Sequence, residues 1–125
     1  MDALDRSPES LGVLIKETQS LLNQRMDDRL RPLALSVPQY ACLTALQDTP
    51  GITSSELARR AFVSRQSMNV LLQNLERDGY VSRPAEAPVG KVLPTRLTPR
   101  GRRSLEKASA AVRSVEVRML AGLTE

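Results

Sequence analysis

The side chains best equipped for chemistry in this 125-residue sequence are hydrogen-bonding ones, and they cluster at helical spacing between residues 64 and 77. Arg65, Gln66, Asn69, Val70 and Gln73 recur at short intervals that place them on one side of a helix. Met68, Leu71, Leu72 and Leu75 stand at i, i+3, i+4 and i+7, the opposite apolar stripe that must be buried. Glutamine and asparagine can donate to and accept from an adenine edge together, arginine can grip guanine with two parallel N–H groups, and valine can touch a thymine methyl. Ser64 and Ser67 complete the amino end of this set, with Ser64 as the helix cap. The chemistry implied is the reading of base edges in a duplex groove. A plain solvated helix face is the alternative while the stripe is taken alone.

Other chemistries are poorly supplied. The sequence has no histidine, which removes imidazole acid–base work and the commonest zinc ligand, and a single cysteine excludes an internal disulfide. Cys42 shares a helix face with Gln39, Leu43 and Leu46 and has no basic neighbour in sequence to favour a thiolate. It reads as a small core residue, with oxidant sensing as the alternative. No cofactor, no metal and no catalytic activity are expected. No apolar run reaches the roughly 18 residues of a membrane span, and a start containing Asp2 and Asp5 lacks the basic and apolar regions of an export signal. The expectation is a soluble cytoplasmic protein.

Charge sharpens the picture by region. The whole chain has 18 basic and 14 acidic side chains, net +4. Between Arg59 and Arg103, however, ten are basic and only three acidic, so the remainder of the chain is mildly negative. Positive charge gathered on one half is the footprint of a polyanion-binding surface.

The elements that must position these residues follow from caps and breakers. Aromatic residues make up 2% of the chain, so the core must be built from Leu, Val, Ala and Met, a palette that suits helices. Ser7-Pro8-Glu9 opens a long helix with Leu11, Leu14, Ile15, Thr18, Leu21 and Leu22 at three-and-four spacing, ending near Arg31-Pro32. Ser36 and Gln39 form a capping box for a second helix reaching about Gln47. Thr53 and Glu56 form another for a short third helix, and two or three residues later Ser64 starts the polar-faced fourth. Gly79 stops it. Tyr80-Val81-Ser82-Arg83 and Val92 to Leu97 read as two strands joined by a loose tip, a wing whose Arg83, Lys91 and Arg96 suit phosphate or a minor groove. Thr98-Pro99 begins a last helix with Leu105, Ala108, Val112, Val115 and Met119 as its stripe, a rod of roughly 35 Å. A rod that long overreaches a small core. Leu11, Leu14, Ile15, Val112, Val115 and Met119 are therefore expected to meet a second subunit, with a monomeric bundle as the alternative.

The fold class is mainly α with a small β-hairpin, a winged helix-turn-helix. One domain spans 1–125, with dimerisation helices at 8–31 and 99–123 and a DNA-binding core at 36–98. Val37-Pro38-Gln39-Tyr40 through Leu46, TSSELARRA at 53–61, FVSRQSMNVLLQNLERDGYVSR at 62–83 and RLTPRG at 96–101, in that order, resemble the multiple-antibiotic-resistance regulator (MarR) family of bacterial transcription factors. The resemblance covers most of the chain. It implies a homodimer on a pseudo-palindromic operator in double-stranded DNA, usually a repressor, often released by a small, frequently phenolic effector lodged between the dimer helices and the reader. The sequence departs from the family at two places. The wing tip has Val89-Gly90-Lys91 where relatives commonly carry an Asp-Arg-Arg-like run, and Leu123-Thr124-Glu125 reads as the capped start of a further helix. The competing functional class is a winged-helix module that binds protein and touches DNA weakly or not at all.

Overall fold

The structure is a computed structural model that describes residues 8–83 and 95–124. Its elements run α1 (Pro8–Leu30), a single 3-10 turn (Arg31–Leu33), α2 (Val37–Asp48), α3 (Ser54–Arg60), α4 (Arg65–Arg77), β1 (Val81–Ser82), β2 (Arg96–Leu97) and α5 (Pro99–Thr124). The two strands form one antiparallel pair, Val81 opposite Leu97 and Ser82 opposite Arg96. Val92, Pro94 and the wing tip with Lys91 lie outside the described residues.

Local chemistry sets each boundary. Pro32 sits in the first turn of the 3-10 segment, and Ala34 reverses the chain in a left-handed conformation at φ 59°, its amide bonded to the Arg31 carbonyl. The box at Ser36 is complete: the Gln39 amide donates to Ser36 Oγ at 3.2 Å, and the Ser36 amide donates to Gln39 Oε1 at 2.9 Å. The box at Thr53 is half formed. Thr53 Oγ1 accepts from the Glu56 amide, but the Glu56 carboxylate turns to Arg59 and, at 3.9 Å, to Arg60, because two guanidinium groups one turn ahead attract it more strongly than a neutral amide. Ser64 Oγ accepts from the Ser67 amide at 3.1 Å and caps α4 as expected.

Between α3 and α4 stands a residue that spacing did not foretell. Phe62 takes φ 56°, a conformation that favours glycine, and its side chain is 91% exposed. The turn is closed beneath it by hydrogen bonds from the Phe62 amide to the Arg59 carbonyl and from the Val63 amide to the Ala58 carbonyl.

The core lies where α2, α3, α4 and the amino half of α5 converge. Met68, Leu72 and Leu75 of α4 are fully buried, with Leu71 packed at the edge, and each full burial contributes about 1.5–3 kcal/mol. Cys42 is buried, and burial pushes its thiol up to about 12, which disfavours the thiolate. A buried, neutral thiol suits the small core residue expected at this position. The core extends along α5 through Leu105, Ala108 and Val112, against α1 and Leu30.

Two expectations about the terminal helices are corrected. Val112 and Val115 are 3% and 5% exposed within the single chain. Their stripe is already covered by the packing of α5 on α1 and α2, leaving little of them for a second subunit. Leu123 and Thr124, read as a new beginning, continue α5, since neither breaks a helix.

Gly101 is required by close approach. A Cβ built there would stand 2.1 Å from the Tyr80 carbonyl oxygen, a backbone atom that cannot rotate away. Gly101→Ala should therefore cost at least about 2 kcal/mol in urea unfolding, as overpacking against backbone does. A loss below about 0.5 kcal/mol, the range of a neutral surface change, would show that the helix start can slide.

Candidate nucleic-acid interface

The sequence places the candidate reading side chains on α4, and burial of its other face decides their direction. With Met68, Leu72 and Leu75 inward, the side chains of Arg65, Gln66, Ser67, Asn69 and Gln73 are exposed, and Val70 is 52% exposed. Gln66, Asn69 and Gln73 form a stripe three and then four residues apart, about 10 Å long at 1.5 Å per residue. That length and polarity suit the floor of a major groove. Ser64 and Ser67 are differently placed. Their hydroxyls lie 3.0 Å apart and Ser64 is engaged in the cap, so the pair shapes the start of α4.

Ion pairing sorts the basic residues. Arg59 and Arg60 are held by Glu56, and Arg77 lies 3.4 Å from Asp78. Arg83, at the wing root, is half-buried and 3.9 Å from Glu76, which ties it back toward α4. Among the described residues, Arg65, Arg96, Arg102 and Arg103 have no carboxylate partner, so their charge remains available to an anion.

Arg102 was missed by reasoning from motifs. It shares with Arg96 a cavity of about 510 Å³ between the end of α2, the turn at Pro50 and the wing root. A usable signal was present in the sequence. The first turns of α5 hold Arg100, Arg102 and Arg103 and no acid, although a helix amino end repels cations. Charges set against the helix dipole suggest an external anion.

The terminal helices present a different surface. Leu11, Leu14 and Ile15 are 58%, 59% and 58% exposed on α1, joined by Val117 and Leu120 at 59% and 60% on α5. Met119 is half-buried and, with Leu21, Val115 and Arg118, lines a cavity of about 480 Å³ between the two helices. A smaller cavity of about 290 Å³, lined by Met26, Tyr40, Thr44 and Arg60, lies where α1, α2 and α3 meet. The hydroxyl of Thr44 is itself closed to solvent and has no partner. Among the described residues no group of acidic and sulfur side chains could hold a metal ion, and no helix is long and apolar enough to cross a membrane.

Comparison with known proteins agrees with this geometry. A family model described as the MarR family matches residues 35–91. The HTH-type transcriptional repressor Rv2887 of Mycobacterium tuberculosis is 42% identical over 124 residues, 99% of this chain and 88% of the relative. The crystal structure of that mycobacterial MarR family protein in complex with DNA superposes with a TM-score of 0.77 at 40% identity, covering 89% of this chain and 82% of the other. Its complex with salicylic acid gives a TM-score of 0.78 at 42% identity, covering 94% and 85%.

Proposed function

The chain belongs to the MarR family of transcriptional regulators, and from that premise we propose that it is a cytoplasmic, ligand-responsive repressor that binds a pseudo-palindromic operator as a homodimer. The observation that carries the reading is the exposed face of α4, where Arg65, Gln66, Asn69, Val70 and Gln73 stand clear of the fold on a helix whose Met68, Leu72 and Leu75 are fully buried. In this reading they contact base edges, while Arg96 and Arg102, with Arg83 and Lys91 of the wing, hold phosphates. Residues 36–98 form the reader, and 8–31 with 99–123 form the frame that pairs two copies. Leu11, Leu14 and Ile15, with Val117 and Leu120, are the surface that pairing covers.

A small-molecule effector is supported by the cavity beside Thr44. Its lining sets apolar Met26, Val37 and Ala41 beside Tyr40 and the basic Arg60, a combination that suits a small aromatic acid. The relative's complex with salicylic acid supports a phenolic acid as the class. Such a ligand would bridge α1 to the reader through Met26, Tyr40 and Arg60.

The test is the salt dependence of DNA binding. A surface that neutralises phosphates releases counterions, so affinity should fall steeply between about 50 and 200 mM salt, whereas a mostly apolar protein interface need not respond. Arg96→Ala should weaken selected and random duplexes alike and flatten the logarithmic slope by about one unit. A slope unchanged in that variant would remove Arg96 from the phosphate contacts. Wild-type affinity indifferent to salt would favour a protein partner.

A further inference from the structure

The end of the reader helix and the start of α5 meet in a joint that does more than begin a helix. The Thr98 hydroxyl accepts from the Gly101 amide at 3.0 Å, the usual cap, and also donates to the Gly79 carbonyl, 19 positions away in sequence. The Thr98 amide donates to the Tyr80 carbonyl at 3.1 Å. Gly101 brings the α5 backbone against that same carbonyl, and the Arg100 guanidinium lies 5.2 Å from the centre of the Tyr80 ring. On the α4 side, Gly79 at φ 82° ends the helix, with the Tyr80 amide bonded to the Leu75 carbonyl.

Starting α5 needs an acceptor at Thr98 and nothing more. The proton given to Gly79 contributes nothing to α5 itself. It ties the segment that leaves α4 to the start of α5, so a tilt between the two would break the bond to Gly79 and the adjacent bond to Tyr80. We infer that Thr98 is a positioning residue that fixes which spacing between operator half-sites the protein accepts. The inference rests on the dimeric operator reading above: α5 is part of the paired frame, so a stiff joint turns the geometry of that frame into a fixed distance between two reader helices. One added base pair shifts a half-site by about 3.4 Å and rotates it by about 35°, more than a stiff pair of readers can follow. Base choice within a half-site is set by α4 and is left alone.

Thr98→Asp separates the two bonds, since a carboxylate caps the Gly101 amide well but has no proton for Gly79. Thr98→Ser keeps both. Full-length proteins would be titrated with duplexes carrying the selected inverted repeat at its natural spacing and with one base pair added or removed. Wild type and Thr98→Ser should prefer the natural spacing by at least about tenfold, and Thr98→Asp by about twofold or less, with base preferences inside each half-site unchanged. A purely structural role would lower affinity for every spacing by one factor and leave the ratio intact. A folded Thr98→Asp protein with the wild-type ratio overturns the inference, as does a wild type that binds its operator without preferring a spacing. If circular dichroism shows Thr98→Asp unfolded, Thr98→Ala at a temperature where it is folded decides by the same ratio. A wild type that selects no operator overturns the dimeric reading itself.

Discussion

Leu14→Asp should turn the protein into a folded monomer in sedimentation and lower operator affinity by about two orders of magnitude or more, the loss expected when a second, linked binding event disappears. Leu14 is 59% exposed and flanked on its helix by Leu11 and Ile15, so in an isolated subunit the new carboxylate would remain in water. In a paired one it would be buried against apolar surface without a partner, which costs roughly 3–5 kcal/mol. The contrast with α5 checks the assignment. Val112→Asp places the same charge in a position 3% exposed inside the chain and should unfold the subunit, seen as loss of helical circular dichroism. If Leu14→Asp remains a dimer with full operator affinity, the exposed surface of α1 is not the pairing surface.

The second large effect concerns sequence choice. Gln66→Ala and Asn69→Ala should each lower affinity for the selected operator by about 1–3 kcal/mol and relax the preference at one base position, leaving binding to random DNA unchanged. Both side chains are exposed, so thermal unfolding should move little. An alanine variant that binds the operator as wild type does would take that residue out of the reading set.

The parts of this architecture that were legible from sequence are those written in neighbouring residues. Ser36 with Gln39, and Ser64 before the Met68, Leu72, Leu75 stripe, announced two helix starts because a cap and its partner lie three residues apart. The polar face of α4 followed by rotation once its apolar side was known. Less was legible where a choice depends on residues far apart or on competition. Glu56 had two possible partners, and the nearby arginines won.

The stripe containing Val112 and Val115 showed that these residues are buried, but a periodic pattern does not say whether the covering surface belongs to the same chain. The exposed leucines of α1 are what the packing of a single chain leaves uncovered. Phe62 in a left-handed turn follows from the closure of α3 onto α4, and no local preference of phenylalanine announces it. Thr98 was readable as a cap, whereas its bond to Gly79 depends on the hairpin having folded back. The available charge of Arg96 and Arg102 emerged only after the ion pairs of the other arginines were known.

The central claim, a paired reader on a two-fold DNA site, is tested most directly by selecting bound fragments from random duplex DNA with the wild-type protein. The expected product is an inverted repeat whose half-site centres lie about 10 base pairs, or roughly 34 Å, apart. Enrichment of isolated half-sites, or of no sequence at all, would contradict it.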